Sequence, residues 1–257
     1  MATLFHTTGI VLSRRDHREA DRWYSAFTRE HGKVEFLARG SHKPLAKLSP
    51  HLEMPAESEF LLVDGRAFLT VAGVERLRAF PNVYGDTQRL VLAKNALHLV
   101  DIGTKPDEAD PTIYELIVNW FSFLDDAPSL TAERSGFVLG AFAMKLLAVI
   151  GYRPELTRCL SCKTDVKPDA FRWHASKGGV VCLDCCTKYP ETWFAARPLS
   201  VDALKLVRFA LVDRFEEHLR PALPGDTLAE FHEAVESLII AHFPTIPANS
   251  LRAACVI

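Results

Sequence analysis

The sequence contains few cysteines, little net charge and no long uncharged apolar run. Its 257 residues include 6 cysteines, and the formal net charge is -2. Six cysteines in a chain of this length are too few for a disulfide scaffold. The longest apolar stretch, residues 136–151, is interrupted by Lys145 and is shorter than the ~20 apolar residues that a membrane span requires. Because the first residues also lack the features of a secretory signal, we expect a cytoplasmic protein without a membrane-spanning segment.

Several motifs that accompany catalysis are missing. There is no glycine-rich phosphate loop, no His-Glu-x-x-His, no Gly-x-Ser-x-Gly and no dinucleotide fingerprint. Acidic residues cluster at 107–110 and 125–126, but there they flank predicted helix ends, where caps and solvated acids are usual. These absences predict a protein that is not an enzyme. A magnesium-dependent nuclease that uses the acidic clusters is the enzymatic alternative.

The small net charge conceals an uneven distribution along the chain. Residues 1–50 carry +4 and residues 151–197 carry +3, whereas residues 81–150 carry -4 and residues 198–257 carry -3. Attraction to a polyanion depends on local charge rather than on the total. The two basic regions are therefore candidates for nucleic-acid binding.

Residues 1–80 have the pattern of a small β-barrel. Runs of β-branched and aromatic residues alternate with turn signals, and His31-Gly32 and Asp64-Gly65 are typical of turns that need a positive φ angle. Five short strands in a segment of this length indicate a closed sheet. The predicted strands cover residues 8–12, 23–28, 33–39, 58–63 and 66–74.

The chain becomes helical in pattern from Tyr84 onward. Apolar residues recur three and four positions apart, and Asp110-Pro111 predicts a helix start, because the aspartate can accept from an unpaired amide and proline needs no donor there. Residues 133–150 are apolar on most sides, which predicts a buried central helix. Thr227 and Glu230 have the spacing of a capping box for the last helix.

Two Cys-x-x-Cys pairs form the most specific motif. Cys159 and Cys162 are separated by 19 residues from Cys182 and Cys185. Each pair can direct two sulfur atoms at one tetrahedral ion, so the spacing predicts a four-thiolate zinc site. A shell closed by four thiolates leaves no position for water or substrate, and the zinc ion is therefore expected to be structural.

Other interpretations of the cysteines stay open at this stage. One pair could be a redox-active dithiol, although the βαβ pattern that accompanies such a motif is absent. Cys186 could replace Cys185 as the fourth ligand. His174, which lies between the pairs, is expected at the surface rather than in the metal shell.

The barrel segment is basic and contains interspersed aromatic residues. Cations that follow the phosphates and aromatic faces that stack on bases are the two devices by which proteins hold single strands. The alternative is that these cations only solvate the outer face of the strands, and that Trp23 and Phe36 belong to the core. The candidate DNA-binding residues are Arg14, Arg15, Arg18, Arg22, Arg29, Lys33, Arg39, Lys43 and Lys47.

Several segments resemble the bacterial RecO family of DNA-repair and recombination mediators. Gly9–Leu12 looks like its first strand, Glu19–Arg22 like its acidic-basic turn, and Thr28 with Gly32-Lys33 like its hairpin. Ala38–Gly40 with Lys43 is similar to its basic loop. Residues 142–147 and 151–156, followed by Cys159, are similar to the helix that leads into its ribbon. The similarity extends over essentially the whole chain.

The resemblance implies an α+β fold. An N-terminal OB-fold barrel of five strands is followed by a helical domain with an inserted four-cysteine zinc ribbon. The expected domains are residues 1–80 for the barrel, residues 81–152 with 198–257 for the helices, and residues 153–197 for the ribbon.

The resemblance also implies a function. Family members bind single- and double-stranded DNA, anneal complementary strands and, with RecR and in some organisms RecF, help to load RecA onto strands coated by single-strand-binding protein (SSB), whose C-terminal tail they contact. Such a protein would be cytoplasmic and nucleoid-associated. The alternative is a zinc-ribbon protein for protein interaction or transcriptional regulation, in which the barrel is a structural platform.

Overall fold

The computed structural model describes residues 3–41, 43, 48–52, 55–212 and 214–246. The chain forms two compact units, Met1–Ala127 and Pro128–Ile257. The helices of residues 81–127 belong to the same unit as the strands that precede them. The three-domain division stated above stays a prediction.

The first unit is built on a five-stranded closed barrel. Its strands are β1 (Thr3–His17), β2 (Asp21–Thr28), β3 (Gly32–Ala38), β4 (Ala56–Asp64) and β5 (Leu69–Ala79). They follow the order β1-β2-β3-β5-β4, and β4 pairs back onto β1. Neighbouring strands are antiparallel except β3 and β5, whose parallel pairing has two Cα partner pairs. The predicted fold class is confirmed, and this architecture is that of an OB fold.

Alternating residues of the strands fill the barrel. Tyr24, Phe36 and Phe60 are at most 1% exposed, and the rings of Tyr24 and Phe36 stack with their centroids 5.8 Å apart. Phe36 is therefore a core residue, as predicted by the alternative in which this ring belongs to the core and not to a DNA-binding surface. Trp23 points to the opposite side of β2 and is only partly buried, because successive side chains of a strand alternate between faces.

The two predicted glycine turns have different backbones. Gly32 has a φ angle of 66°, and a Cβ atom at this position would lie 2.1 Å from the carbonyl oxygen of Glu108. Glycine is therefore required there. Gly65 has no positive φ angle, so that expectation is wrong. Its amide instead donates to the carbonyl of Phe68 at 3.2 Å, which closes the β4–β5 turn.

Three helices complete the first unit: α1 (Pro81–Gly85), α2 (Thr87–Gly103) and α3 (Pro111–Asp126). The predicted start of α3 is confirmed, since the carboxylate of Asp110 accepts from the amide of Thr112 at 2.8 Å and Pro111 occupies the first turn. Helices α2 and α3 bury mainly apolar residues, among them Leu97 and Trp120.

The second unit contains a central helix, a small ribbon and two further helices. In chain order these are α4 (Ala132–Leu147), a π-helical turn (Ala148–Tyr152), β6 (Phe171–His174), β7 (Gly179–Cys182), α5 (Leu183–Lys188), α6 (Pro190–Trp193), α7 (Val201–Val212) and α8 (Gly225–His242). Helix α4 packs against α7 and α8. Gly140 lets the ring of Phe231 approach, because a Cβ atom there would lie 2.6 Å from that ring.

The central helix is apolar enough to be mistaken for a membrane span. Within the described residues, Ala132–Tyr152 is long and apolar enough to cross a bilayer, but 67% of its most apolar window is buried inside the unit. Burial of this kind is that of a core helix.

The capping box predicted at Thr227 and Glu230 is wrong. Helix α8 begins two residues earlier than Thr227, at Gly225, and the carboxylate of Glu230 accepts from the amide of Ser200 at 2.6 Å. The Ser200 hydroxyl in turn accepts from the amide of Ala203. Glu230 therefore stabilises the start of α7 instead of its own helix.

Candidate metal centre and nucleic-acid interface

Four cysteine sulfur atoms converge in the ribbon. Cys159 and Cys162 precede β6, Cys182 ends β7 and Cys185 lies in α5. Their Sγ atoms all lie within 4.8 Å of one another, and those of Cys162 and Cys182 are 3.8 Å apart. A tetrahedral ion with zinc–sulfur bonds of ~2.3 Å has ligand atoms about 3.8 Å apart. The four cysteines could therefore hold a metal ion.

A tight turn directs the first pair of sulfurs. Lys163 adopts a φ angle of 61°, and its amide donates to the carbonyl of Cys159 at 3.0 Å. The amides of Ser161 and Cys182 point at the sulfur of Cys159, at 3.4 and 3.3 Å. These backbone contacts fix the position of the Cys159 sulfur within the cluster.

The thiols of the cluster differ in acidity. Hydrogen bonds with the side chain and amide of Thr164 lower the pKa of Cys162 to about 6. Burial raises the pKa of Cys182 to about 12. Four thiolates at one point repel one another, and a divalent cation supplies the charge that lets all four ionise. The donor set thus fits zinc.

Cys186 and His174 lie outside this cluster. Cys186 is partly buried and packs beside the cluster, but the sulfur that joins the other three belongs to Cys185. His174 is 3% exposed, and its Nδ1 atom accepts from the amide of Lys177 at 3.3 Å. The expectation that His174 lies at the surface is therefore wrong: it is a buried residue that packs edge-on against Trp193.

A second group of residues gathers at one end of the barrel. The carboxylate of Asp21 accepts from the amide of Gly40 at 2.8 Å, which joins the β1–β2 turn to the segment that follows β3. Basic residues that are distant in sequence are thereby brought to the same end. The exposed cations there, here called the cationic end, are Arg14, Arg15, Arg18, Arg39 and Lys43.

The remaining candidate cations lie against other parts of the protein. Lys33 is 14% exposed and lies 3.3 Å from the carboxylate of Asp101 on α2. Arg22 is 17% exposed and pairs with Asp16 at 2.9 Å. Arg29 is exposed and lies over the ring of Tyr114, 5.1 Å from its centroid. Lys47 lies outside the described residues.

A groove of about 710 Å³ runs along β2 and β3 beside the β4–β5 turn. The ring of Phe68, 38% exposed, lies 5.4 Å from that of Trp23. The guanidinium of Arg15 lies over the ring of Trp23, 5.7 Å from its centroid, and pairs with the carboxylate of Glu35 at 3.1 Å. We call this the aromatic groove. Its position, on strands 2 and 3 and the 4–5 loop, is where OB folds bind oligonucleotides.

Sequence reasoning missed Phe68 and Arg66, which line the groove from the β4–β5 turn. The strand pattern places both residues in a strand, where an aromatic residue is expected to pack inward. An arginine directly after the Asp64-Gly65 turn, with an aromatic residue three positions after Gly65, was the available signal.

Comparison with known proteins identifies the family of this chain. The family model described as Recombination protein O N terminal matches residues 1–80, and the one described as Recombination protein O C terminal matches residues 84–252. The chain belongs to the RecO family. A DNA repair protein RecO from Geobacter sulfurreducens is 31% identical over 244 residues, which cover 94% of this chain and 93% of that protein. One from Alkaliphilus metalliredigens is 26% identical over 251 residues, or 98% of each chain.

Membership of the RecO family places this protein in DNA repair and recombination. The resemblance noted from Gly9–Leu12 to the cysteine ribbon is confirmed. The first matched region contains Trp23 and Phe68 of the aromatic groove, and the second contains the four cysteines.

Proposed function

We propose that this RecO-family protein is a non-enzymatic mediator that binds single- and double-stranded DNA and anneals complementary strands. With RecR and RecF it would load RecA onto single strands coated by SSB, whose C-terminal tail it would contact. Its place would be the cytoplasm, at the nucleoid. The observation that carries the proposal is the cationic end of the barrel beside the aromatic groove.

The chemistry of binding follows from these two surfaces. Each arginine or lysine that contacts a phosphate releases condensed counterions, so affinity falls as salt rises. Trp23 and Phe68 offer exposed ring surface on which bases of any sequence can stack. Neither device distinguishes one base sequence from another. We infer that binding is largely sequence-independent.

Annealing requires two polyanions to approach each other. A cationic surface lowers their repulsion, and a stacking groove keeps bases unpaired and accessible until the complementary strand arrives. No bond is made or broken in this process, so it needs no catalytic group. The zinc ion, held by Cys159, Cys162, Cys182 and Cys185, would stabilise the ribbon and take no part in chemistry.

Charge removal tests the proposal. Replacing Arg14, Arg15, Arg39 and Lys43 by alanine is expected to weaken binding to single strands of unrelated sequence to the same degree. The slope of log affinity against log salt should fall by about 3, since each phosphate contact on a single strand contributes about 0.7. Fluorescence anisotropy with labelled oligonucleotides at several salt concentrations measures both quantities.

A matched control removes the same number of charges elsewhere. Lys94, Lys205, Arg214 and Arg220 are exposed cations outside the barrel, and none of them lines the aromatic groove. Their replacement by alanine should leave the slope unchanged. Equal losses in both variants would mean that only the total charge matters. An unchanged slope in the first variant would exclude the cationic end as the DNA-binding surface.

A further inference from the structure

Two large aromatic side chains protrude from the ribbon without serving its core. Phe194 is 79% exposed and Tyr189 is 45% exposed. Their neighbour Trp193 is 8% exposed and packs with Cys159, Val181 and Cys185 in the small core around the cysteines. Because Trp193 already fills that core, the stability of the ribbon does not explain the other two rings.

Short contacts connect the segments that carry these rings with three cations. The amide of Trp193 donates to the carbonyl of Tyr189 at 3.2 Å, which holds α6 against the end of α5. Lys177 lies 5.1 Å from the ring centroid of Trp193, and Lys188 lies 5.3 Å from that of Tyr189. Arg197 donates to the carbonyl of Phe194 at 3.1 Å. We call the surface formed by Lys177, Lys188, Tyr189, Phe194 and Arg197 the ribbon face.

The cations of the ribbon face are available to a ligand. Lys177, Lys188 and Arg197 are exposed, and in the part of the chain that the structure describes none of the three forms an ion pair. Glu191 is the acidic residue within α6. Exposed cations without an ion-pair partner among the described residues, next to the exposed ring of Phe194 and the partly exposed ring of Tyr189, are complementary to an anion that has flat apolar parts.

We propose that the ribbon face is a second binding site for single-stranded DNA, distinct from the aromatic groove of the barrel. The inference rests on the proposed function. Bases would stack on Phe194 and Tyr189, and the adjacent phosphates would contact Lys177, Lys188 and Arg197. Rings that protrude, as Phe194 does, suit bases, which stack face to face with them. An acidic peptide instead needs a recess that buries its apolar residues.

Two binding sites on one chain would favour the annealing of complementary strands. One strand would occupy the barrel and the other the ribbon face, so that a single protein molecule holds both reactants and raises their effective concentration. Binding at both sites would be sequence-independent, because neither presents side chains arranged to read base edges.

The test counts short oligonucleotides per protein chain. The full-length, zinc-loaded protein is titrated with an oligothymidylate of about eight nucleotides, within the range of site sizes of one OB fold, and the stoichiometry is measured by native mass spectrometry and calorimetry. We expect two bound oligonucleotides. The variant Tyr189→Ala/Phe194→Ala should bind one, and affinity at the lost site should fall by about tenfold or more.

Controls separate this loss from misfolding. Tyr84, another exposed aromatic residue, is replaced by alanine in a matched variant that should keep two bound oligonucleotides. Zinc content and circular dichroism of the ribbon variant should equal those of the wild type, because Tyr189 and Phe194 are exposed.

The outcomes distinguish the inference from the proposed function. If the ribbon variant still binds two oligonucleotides, the ribbon face is not a DNA site, while annealing and barrel binding stand. If that variant keeps two oligonucleotides but loses affinity for a short acidic peptide, the face binds protein and the inference is overturned. If the wild type neither binds the oligonucleotide nor anneals complementary strands, the proposed function fails and the inference fails with it.

Discussion

At the scale of single residues, the ends of elements are held by side chains from distant parts of the chain. Arg89 on α2 donates to the carbonyl oxygens of Leu124 at 2.7 Å, Asp125 at 3.0 Å and Ala127 at 2.7 Å. These carbonyls end α3 and have no partner within that helix. Arg89 thus completes a helix end at which the Ala127 amide donates to the carbonyl of Phe123 and the side-chain amide of Asn82 donates to that of Asp125.

Removing this side chain should destabilise the first unit. We expect Arg89→Ala to lower the free energy of unfolding by about 2–3 kcal/mol, since charge-assisted hydrogen bonds are lost and the carbonyls of Leu124 and Ala127 lose their guanidinium donor. Lys94→Ala, at an exposed position of the same helix, should change it by less than about 0.5 kcal/mol. Urea denaturation measures both, and equal effects of the two substitutions would contradict the role given to Arg89.

A second residue-scale contact connects α3 to the barrel. The hydroxyl of Tyr114 donates to the carboxylate of Glu57 at 2.6 Å. Burial and this hydrogen bond raise the pKa of Tyr114 well above its usual value of 10.0. The unfolded chain then ionises at a lower pH than the folded one, so the contribution of this group to stability is complete below about pH 10 and is lost above it.

The substitution Tyr114→Phe isolates that contribution. We expect it to cost about 1.5–3 kcal/mol near pH 8, the range for a hydrogen bond to a charged group. The difference between wild type and variant should shrink as the pH rises above about 10. Denaturant titrations at several pH values test this, and a difference that stays constant up to about pH 11 would show that the hydroxyl does not titrate differently on folding.

Residue partners of this kind were not predictable from the sequence. Lys33 is a DNA-binding candidate by sequence, but its partner Asp101 follows 68 residues later, on a helix whose position depends on the fold. The four cysteines were predictable because each pair is local. The approach of the two pairs to each other, by contrast, depends on the hairpin of β6 and β7.

At the scale of elements, the ribbon is the part whose structure depends most on a ligand. Its strands have four residues each, and its core contains Cys159, Cys185, Trp193 and few other buried side chains. So small a core supplies little burial energy. Metal binding would therefore contribute directly to the folding of this element.

Cysteine substitutions test which sulfurs hold the ion. We expect Cys185→Ser to abolish stoichiometric zinc and to lower the melting temperature of the ribbon, as chelation of the wild type would. Cys186→Ser should retain one zinc ion, because the Cys186 sulfur is not part of the four-sulfur cluster. Colorimetric zinc release and thermal denaturation give the two readouts. Loss of zinc from the Cys186 variant alone would assign the fourth ligand to Cys186.

Element boundaries were predictable where the signal was local. Asp110-Pro111 marks the start of α3 because cap and proline act within one turn. The pattern of Thr227 and Glu230 has the same local character, yet Glu230 caps α7 through Ser200. The carboxylate of Glu230 could cap either α8 or α7, and the packing of these two helices determines which one it caps.

At the scale of the whole molecule, the charge of -2 is the sum of basic and acidic regions. The cationic end and the ribbon face lie in the two basic regions, and the acidic residues lie mainly among the helices. A protein with this distribution can hold polyanions locally while its total charge stays low, which limits non-specific adhesion. We propose that the barrel, the helices and the ribbon correspond to residues 1–80, 81–152 with 198–257, and 153–197.

The short contact between β3 and β5 has a consequence for how the barrel responds to its ligand. It pairs only Phe36 with Leu69 and Leu37 with Thr70, so it is the thinnest seam of the closed sheet. The aromatic groove straddles this seam, with Trp23 and Glu35 on one side and Phe68 on the other. A DNA strand bound in the groove as proposed would contact both sides and stabilise the β3–β5 pairing. DNA binding and the stability of the barrel would then be thermodynamically linked, so that each increases the other.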